Sequence, residues 1–315
     1  MGEKIKLGIS SCLLGENVRY DGGHQLDRYI RDTLGRFVDW VPVCPEVECG
    51  LPVPREAMRL VGEHEAPRLM TQKTGVDHTD RMLAWAAGRL DELEKEGLCG
   101  FIFKIRSPSS GMRDVKVYRG AGVRKNGVGI WAREFMGRFP HIPVEDDGRL
   151  HDPGLRENFI ERVFVFHRWL EYSKGDDSLR GLVEFHTKHK LLLMAHSPKA
   201  LGELGKLVAR GKGMKRPALL DRYAGILLEG LKLRATVRKN TNVLHHVLGY
   251  FKKDLTGDEK AEMLDVIENY HRGLVPLIVP VTLLRHYVRK YREPYLLKQH
   301  YLHPHPLELM LRNHV

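Results

Sequence analysis

The first half of the chain alternates short, largely apolar runs with longer segments in which apolar residues recur at helical spacing. The runs are Ile5–Ile9, Val38–Val43 and Gly100–Ile105. Runs this short, bounded by polar turns and separated by helical patterns, predict buried parallel strands. Gln25–Leu34, Thr79–Glu96 and Gly127–Phe139 read as helices; Met82, Leu83, Ala86, Leu90 and Leu93 place one apolar face on the second. Val61–Gln72 reads as a small hairpin, and a last strand is expected near Ile142–Val144. This alternation predicts an α/β doubly wound (Rossmann-like) sheet with right-handed crossovers. In the second half no strand pattern remains. Helices are predicted over Leu155–Tyr172, Leu182–His196, Lys199–Arg210, Pro217–Arg238, Val243–Lys253, Gly257–Arg272 and Val275–Tyr291. The turn-rich stretch Glu145–Gly154 reads as a linker. The expected architecture is therefore a Rossmann-like domain over residues 1–148 followed by an all-α domain over residues 149–315.

Charge separates the two halves further. The chain carries a net +11, and residues 151–315 hold 28 Lys+Arg against 18 Asp+Glu, so the first 150 residues are close to neutral. A basic half joined to a neutral half suggests a polyanion-binding module attached to a chemical one. Lys188 and Lys190, and then Arg234, Arg238 and Lys239, are the basic concentrations expected to face RNA. His186, His189 and His196 share the first of these helices but lack a carboxylate in register, so they read as a solvated RNA-facing surface rather than a metal site. No segment is long and apolar enough to span a bilayer, and no apolar leader opens the chain. Four cysteines, all before residue 100, make no disulfide framework. A cytoplasmic location is the expectation.

The chemistry of a parallel α/β sheet sits beyond the carboxyl ends of its strands. Here the three apolar runs lead into Ser10-Ser11-Cys12, Cys44-Pro45-Glu46 and Arg106-Ser107-Pro108-Ser109-Ser110-Gly111, which would converge on one pocket. Two cysteines at adjacent strand ends, Cys12 and Cys44, point to a functional pair, although no spacing matches a zinc ribbon. Cys49, five residues after Cys44, is near enough in sequence to approach the same pocket, whereas Cys99 precedes its strand and belongs at the opposite end. Glu46 suits acid–base work and equally an N-cap or an ion pair with Arg55. Ser107 and Ser109 suit ligand binding or a capping turn. Tyr20 and Asp21 suit stacking on a base and accepting its N–H, or a tight turn.

These segments taken together resemble the thiouracil desulfidase family: Ser11-Cys12-Leu13-Leu14-Gly15, Arg19-Tyr20-Asp21-Gly22, Cys44-Pro45-Glu46, Gly50-Leu51-Pro52-Val53-Pro54-Arg55 and Ser107-Pro108-Ser109-Ser110-Gly111. The second half resembles the helical domain fused to the longer members. The resemblance implies a [4Fe-4S] cluster held by three protein thiolates, with one iron open to a thiocarbonyl sulfur. It implies non-redox removal of sulfur from 4-thiouridine in tRNA, or from small thiolated pyrimidines, giving uridine and sulfide. Carried over by motif, Cys12 and Cys44 are two ligands, Glu46 the acid–base and Ser107 a positioning group. Ser11, Tyr20, Asp21 and Ser109 are expected around the substrate. The family motif Ser-Pro-Ser-Cys-Gly places a cysteine where this chain has Ser110. Either Ser110 coordinates weakly, or Cys49 substitutes for it, or the chain is an altered variant of the enzyme. Two other readings stand beside this one: desulfuration of free thiopyrimidines only, and a cluster-free nucleic-acid-binding protein with inert buried cysteines.

Overall fold

A computed structural model describes residues 4–175 and 178–314. The chain divides into two compact units, Met1–His151 and Asp152–Val315. The first unit contains strands β1 (Ile5–Ser10), β2 (Val38–Val43), β3 (Met58–Val61), β4 (Arg68–Thr71), β5 (Phe101–Phe103), β6 (Val115–Arg119), β7 (Gly122–Gly127) and β8 (Val144–Asp146). Its helices are α1 (Pro45–Glu48), α2 (Thr79–Glu96) and α3 (Ile130–Arg138).

The main sheet is wholly parallel, in the order β2-β1-β5-β8. The chain leaves β1 to one side for β2 and returns to the other side for β5. The loops after β1 and β5 therefore diverge and open a crevice at the carboxyl edge. Strands β1 and β5 approach closely because Gly8 has no side chain; a Cβ there would overlap the ring of Phe101. That ring heads an aromatic cluster, 4.4 Å from Phe103 and 4.7 Å from Phe135 between centroids, with Trp131 beside them. Helix α2 covers the cluster with Ala86, Leu90 and Leu93, while Met82 on the same helix is buried beside Leu60 and Leu69. Leu83, expected on the same face, points outward with 37% exposure.

Several elements depart from the sequence expectation. Residues 25–34 form no regular helix; a π turn over Tyr29–Thr33 passes into a 3-10 turn over Leu34–Arg36. Residues 115–127 make a hairpin, β6–β7, where a polar loop was expected. Strand β7 is exposed along nearly its whole length, so its sequence shows no apolar alternation. With β3 and β4 the hairpin completes a second, mixed sheet of order β4-β3-β6-β7. The expected linker begins instead with β8, and Asp147 beyond it is buried.

The second unit is all helical: α4 (Pro153–Lys174), α5 (Leu179–His196), α6 (Pro198–Ala209), α7 (Arg216–Lys232), α8 (Val237–Leu248), α9 (Gly257–His271), α10 (Ile278–Lys290) and α11 (Pro294–Leu297). The helix expected to run through Arg238 stops at Lys232. His196 Nδ1 lies 2.7 Å from the Leu233 carbonyl, Lys239 Nζ donates to the Arg234 carbonyl at 3.1 Å, and the Thr236 side chain caps α8. These groups satisfy the main chain of the break. At the centre of the unit, buried Glu161 accepts from Arg312 Nη2 at 2.7 Å and lies 2.9 Å from His196 Nε2. Among the described residues no helix is long and apolar enough to cross a membrane.

Candidate active site

Strands β1 and β2 pair in register up to Ser10 and Val43. Cys12 and Cys44 thus leave the ends of neighbouring strands, which lie about 4.8 Å apart. Cys12 sits in a 3-10 turn, Ser11–Leu14, that Gly15 ends with a left-handed φ of 98°. Cys44 is the N-cap of α1, whose first position is Pro45, and its N–H donates to Glu48 Oε1 at 2.8 Å. The third loop is tied down from β5. The Lys104 N–H donates to Ser10 Oγ at 3.0 Å, and Ser107 Oγ accepts the N–H groups of Ser109 at 3.3 Å and Ser110 at 3.1 Å. The Gly111 N–H closes the turn on the Ser107 carbonyl at 2.8 Å. A Cβ at Gly111 would stand 2.7 Å from that oxygen, so the residue after Ser110 has to be glycine.

The three loops surround one cavity of about 300 Å³. Ser11, Cys12, Tyr20, Cys44, Glu46, Ser107 and Ser110 all line it. Glu46 is held from two sides: Ser109 Oγ donates to its Oε1, and Arg55 Nη2 stands 3.8 Å from its Oε2. The Cys44 thiol lies 3.6 Å from the same Oε2. The ion pair with Arg55 and a carboxylate facing the cavity therefore coexist. Burial pushes the Cys12 thiol up to about 11, with Lys104 opposing and Glu46 adding to the rise. Burial, reinforced by Glu46, pushes Cys44 up to about 12.

Other expected residues lie elsewhere. Cys49 does not reach the cavity. It packs with Leu51, Leu60, Met82 and Val115, and its thiol donates to the Glu46 carbonyl at 3.3 Å. Ser109 is fully buried behind Glu46, where it orients the carboxylate. Asp21 closes its own turn, accepting from the Gly23 N–H at 3.1 Å and pairing with Arg19 at 3.4 Å. Cys99 is buried, and its N–H donates to the Lys6 carbonyl at the amino end of β1.

Lys104, which sequence reasoning passed over, also lines the cavity. Its Nζ pairs with Asp147 Oδ2 at 2.8 Å, while Asp147 Oδ1 accepts the Ile105 N–H at 2.7 Å. The available signals were a lysine ending a buried strand and an aspartate following another. Met58, Gln72 and Arg106 complete one wall.

In the helical unit the histidines are not a solvated surface. His186, His189 and His196 are each at most 4% exposed. His186 Nδ1 lies 3.1 Å from the Tyr223 hydroxyl, and His189 Nε2 accepts from Arg168 at 3.2 Å. Burial pushes His186 down to about 4. Their i, i+3 spacing is that of the inner face of α5. Lys188 pairs with Glu184 at 2.8 Å, and Lys190 is half-buried. Arg234 and Arg238 are exposed, Arg234 standing 3.8 Å from Asp152, whereas Lys239 donates to the His196 carbonyl at 2.7 Å and so serves the helix break.

The profile of the 2-thiouracil desulfurase family matches residues 7–147, and that of a protein of unknown function, DUF1722, matches residues 190–306. The uncharacterized protein YbgA of Escherichia coli K12 is 31% identical over 159 residues, which are 50% of this chain and 94% of that one. The chain belongs to the 2-thiouracil desulfurase family. The uncharacterized protein YbbK of Bacillus subtilis 168 is 29% identical over 130 residues, 39% of this chain and 85% of that one. Among solved structures, the [4Fe-4S]-dependent thiouracil desulfidase TudS is 29% identical at a TM-score of 0.38, covering 47% of this chain and 95% of that one. The desulfurase profile ends at Asp147, the residue that holds Lys104 at the cavity.

Proposed function

We propose that this chain removes the sulfur of a thiolated pyrimidine as sulfide, replacing C=S by C=O with water, and that its principal substrate is 4-thiouridine in tRNA. The observation that carries the reading is the meeting of Cys12, Cys44, Glu46, Ser107 and Ser110 around one cavity from three separate strand ends. The family supports the substrate chemistry. Among the described residues no three His, Cys, Asp or Glu side chains group as metal ligands. The donor set at the cavity is two thiols and a hydroxyl, which fits a [4Fe-4S] cluster at two of its three protein-held corners. Cys12 and Cys44 would hold it, with residue 110 at the third. When bound, the cluster supplies a thiophilic Lewis acid that selects sulfur over oxygen and stabilises the departing sulfide.

The chain's own residues supply the remainder. Glu46, fixed by Ser109 and Arg55, takes a proton from the attacking water. Ser107 offers a hydroxyl to the ring, and Tyr20 offers an aromatic face at the cavity wall. Water adds at the thiocarbonyl carbon, the C–S bond breaks and the oxygen remains, so neither carbon nor protein changes oxidation state. Cys49 takes no part, because it faces the apolar side of its loop. The exposed Arg234 and Arg238 and the half-buried Lys188 and Lys190 give the basic helical unit its contacts to tRNA; Lys239 acts there by holding the helix break.

The test is anaerobic iron–sulfur reconstitution of the native chain and of Ser110→Cys, with iron and sulfide counted per chain. Sulfide release is then assayed from 2-thiouracil and from tRNA containing 4-thiouridine. Ser110→Cys should retain ~4 iron and hold them through gel filtration better than the native chain. Activity on tRNA exceeding that on the free base supports the tRNA assignment. Two forms that both fail to retain iron would overturn the reading.

A further inference from the structure

The cavity does not end at the rim of the main sheet. A second, open depression of about 660 Å³ adjoins it on the outer face of the mixed sheet, and Met58, Gln72, Arg106 and Pro108 line both. Its floor is Arg59, Lys116, Tyr118 and Lys125, all pointing away from the buried side of their strands. Strand register accounts for this. Leu60 pairs with Val117, so Arg59 of β3 lies beside Lys116 of β6, and Lys125 of the exposed β7 lies next across the sheet. Three cations thus form a row across three strands, about 10 Å long. The Arg59 guanidinium stands over the Tyr118 ring, 5.2 Å from its centre, which places an aromatic ring within the row.

Charge and pairing set this surface apart. The first 150 residues are near neutral overall, yet four cations meet here against one carboxylate, Asp114, whose partner at 3.8 Å is Arg113. Among the described residues Arg59, Arg106, Lys116 and Lys125 form no ion pair. Arg106, on the wall shared with the cavity, holds a left-handed backbone with φ 59°, a conformation that non-glycine residues rarely adopt. Cations in a row with an interleaved aromatic ring are the means by which proteins track a single-stranded nucleic acid, the cations taking phosphates and the ring a base.

We propose that this face of the mixed sheet is the track for the ribose-phosphate backbone of a single-stranded RNA segment whose thiolated base enters the adjoining cavity. The proposal rests on the reading of that cavity as a desulfurase site and adds where the polymer lies. An unpaired base reaches a cavity without the unstacking that a duplex requires, so the substrate segment is a loop or an end rather than a helix. Specificity for the polymer then resides partly in the same unit that performs the chemistry.

The experiment measures equilibrium binding of the full chain to a labelled single-stranded RNA of about a dozen nucleotides carrying one 4-thiouridine, across a salt series. Lys116→Glu/Lys125→Glu should weaken binding by about tenfold or more at ~50 mM salt and flatten the salt slope by ~1.4, two lost phosphate contacts. The charge-matched control Arg36→Glu/Lys95→Glu, on exposed residues away from the groove, should bind like the native chain. Thermal melts confirm that both variants fold; Lys116→Gln/Lys125→Gln, with a smaller loss in the same direction, serves if the glutamates unfold the sheet. Native-like affinity and slope in the groove variants, or equal losses in the control, would overturn the track. So would displacement of the RNA by polyglutamate as readily as by unlabelled RNA, which would mark an acidic protein as the occupant. The cavity reading is scored separately, by sulfide released from free 2-thiouracil, a ligand too small to need the groove.

Discussion

Glu46→Gln is the substitution that separates chemistry from architecture at this site. The amide keeps the size of the carboxylate, and its carbonyl can still accept from Ser109 Oγ. What disappears is the ability to take a proton and the charge that faces Arg55. Loss of a positioned general base costs about 10²–10⁴ in rate, or about 3–5 kcal/mol of barrier. The structural cost is smaller. At 3.8 Å the gross Coulomb attraction to Arg55 is about 4 kcal/mol at an effective dielectric constant near 20, and desolvation of the pair offsets much of it. Arg55 also keeps its hydrogen bond to the Val18 carbonyl at 3.0 Å. A net loss of about 1–2 kcal/mol is expected, lowering the melting temperature by roughly 2–8 °C. The assay is sulfide release under anaerobic conditions, run in the native and Ser110→Cys backgrounds alongside iron content and a thermal melt. Activity reduced at least a hundredfold, with iron retained and the fold intact, is the expected pattern. Turnover within threefold of the parent would refute the assignment of Glu46 as the base.

Three further outcomes follow from the packing. Cys49→Ala should leave iron retention in the Ser110→Cys background unchanged, since that thiol lies among Leu51, Leu60 and Met82; a loss of iron on reconstitution would return Cys49 to the ligand set. Glu161→Gln should destabilise the helical unit by about 3–5 kcal/mol, because it leaves buried Arg312 without its nearest counter-charge; a double-mutant cycle with Arg312→Met should show strong coupling. Burial alone would raise the Glu161 carboxyl, but Arg312 and His196 overcome it and hold it below the ordinary 4.5. Its contribution is therefore complete above about pH 4.5 and lost as pH falls below it, so the melting temperatures of native and Glu161→Gln chains should converge on acidification, and a constant gap would argue against the network. Gly8→Ala should cost about 1–3 kcal/mol by forcing the Phe101 ring aside, read from the midpoint of urea unfolding.

Much of the first unit was legible because buried parallel strands announce themselves as short apolar runs. The convergence of the turns after β1, β2 and β5 followed from those runs alone. The elements that escaped are those whose residues face water on one side or both. The β6–β7 hairpin is polar because its outer face is exposed, and that polarity concealed the basic groove. Residues 25–34 carry helix-like composition, yet their turns are irregular, tied by Asp27 Oδ1 to the Ile30 N–H at 3.0 Å. In the helical unit, spacing correctly placed the histidines on one face of α5 but could not say which way it turned. The fate of Cys49 was equally hidden, because a four-residue helix rotates successive side chains through large angles and sequence distance alone does not fix direction. Lys104 and Asp147 became visible only when β5 and β8 were seen to lie side by side.

The loop that carries Ser110 is shaped by its own main chain: the Ser107 hydroxyl and carbonyl collect the amides of Ser109, Ser110 and Gly111, and the Ser110 hydroxyl makes no hydrogen bond among the described residues. Exchanging oxygen for sulfur at that position therefore breaks no hydrogen bond of the loop. A lineage can cross between the two atoms by one codon change and keep every other part in place, so the surrounding architecture outlives any given state of its most reactive corner.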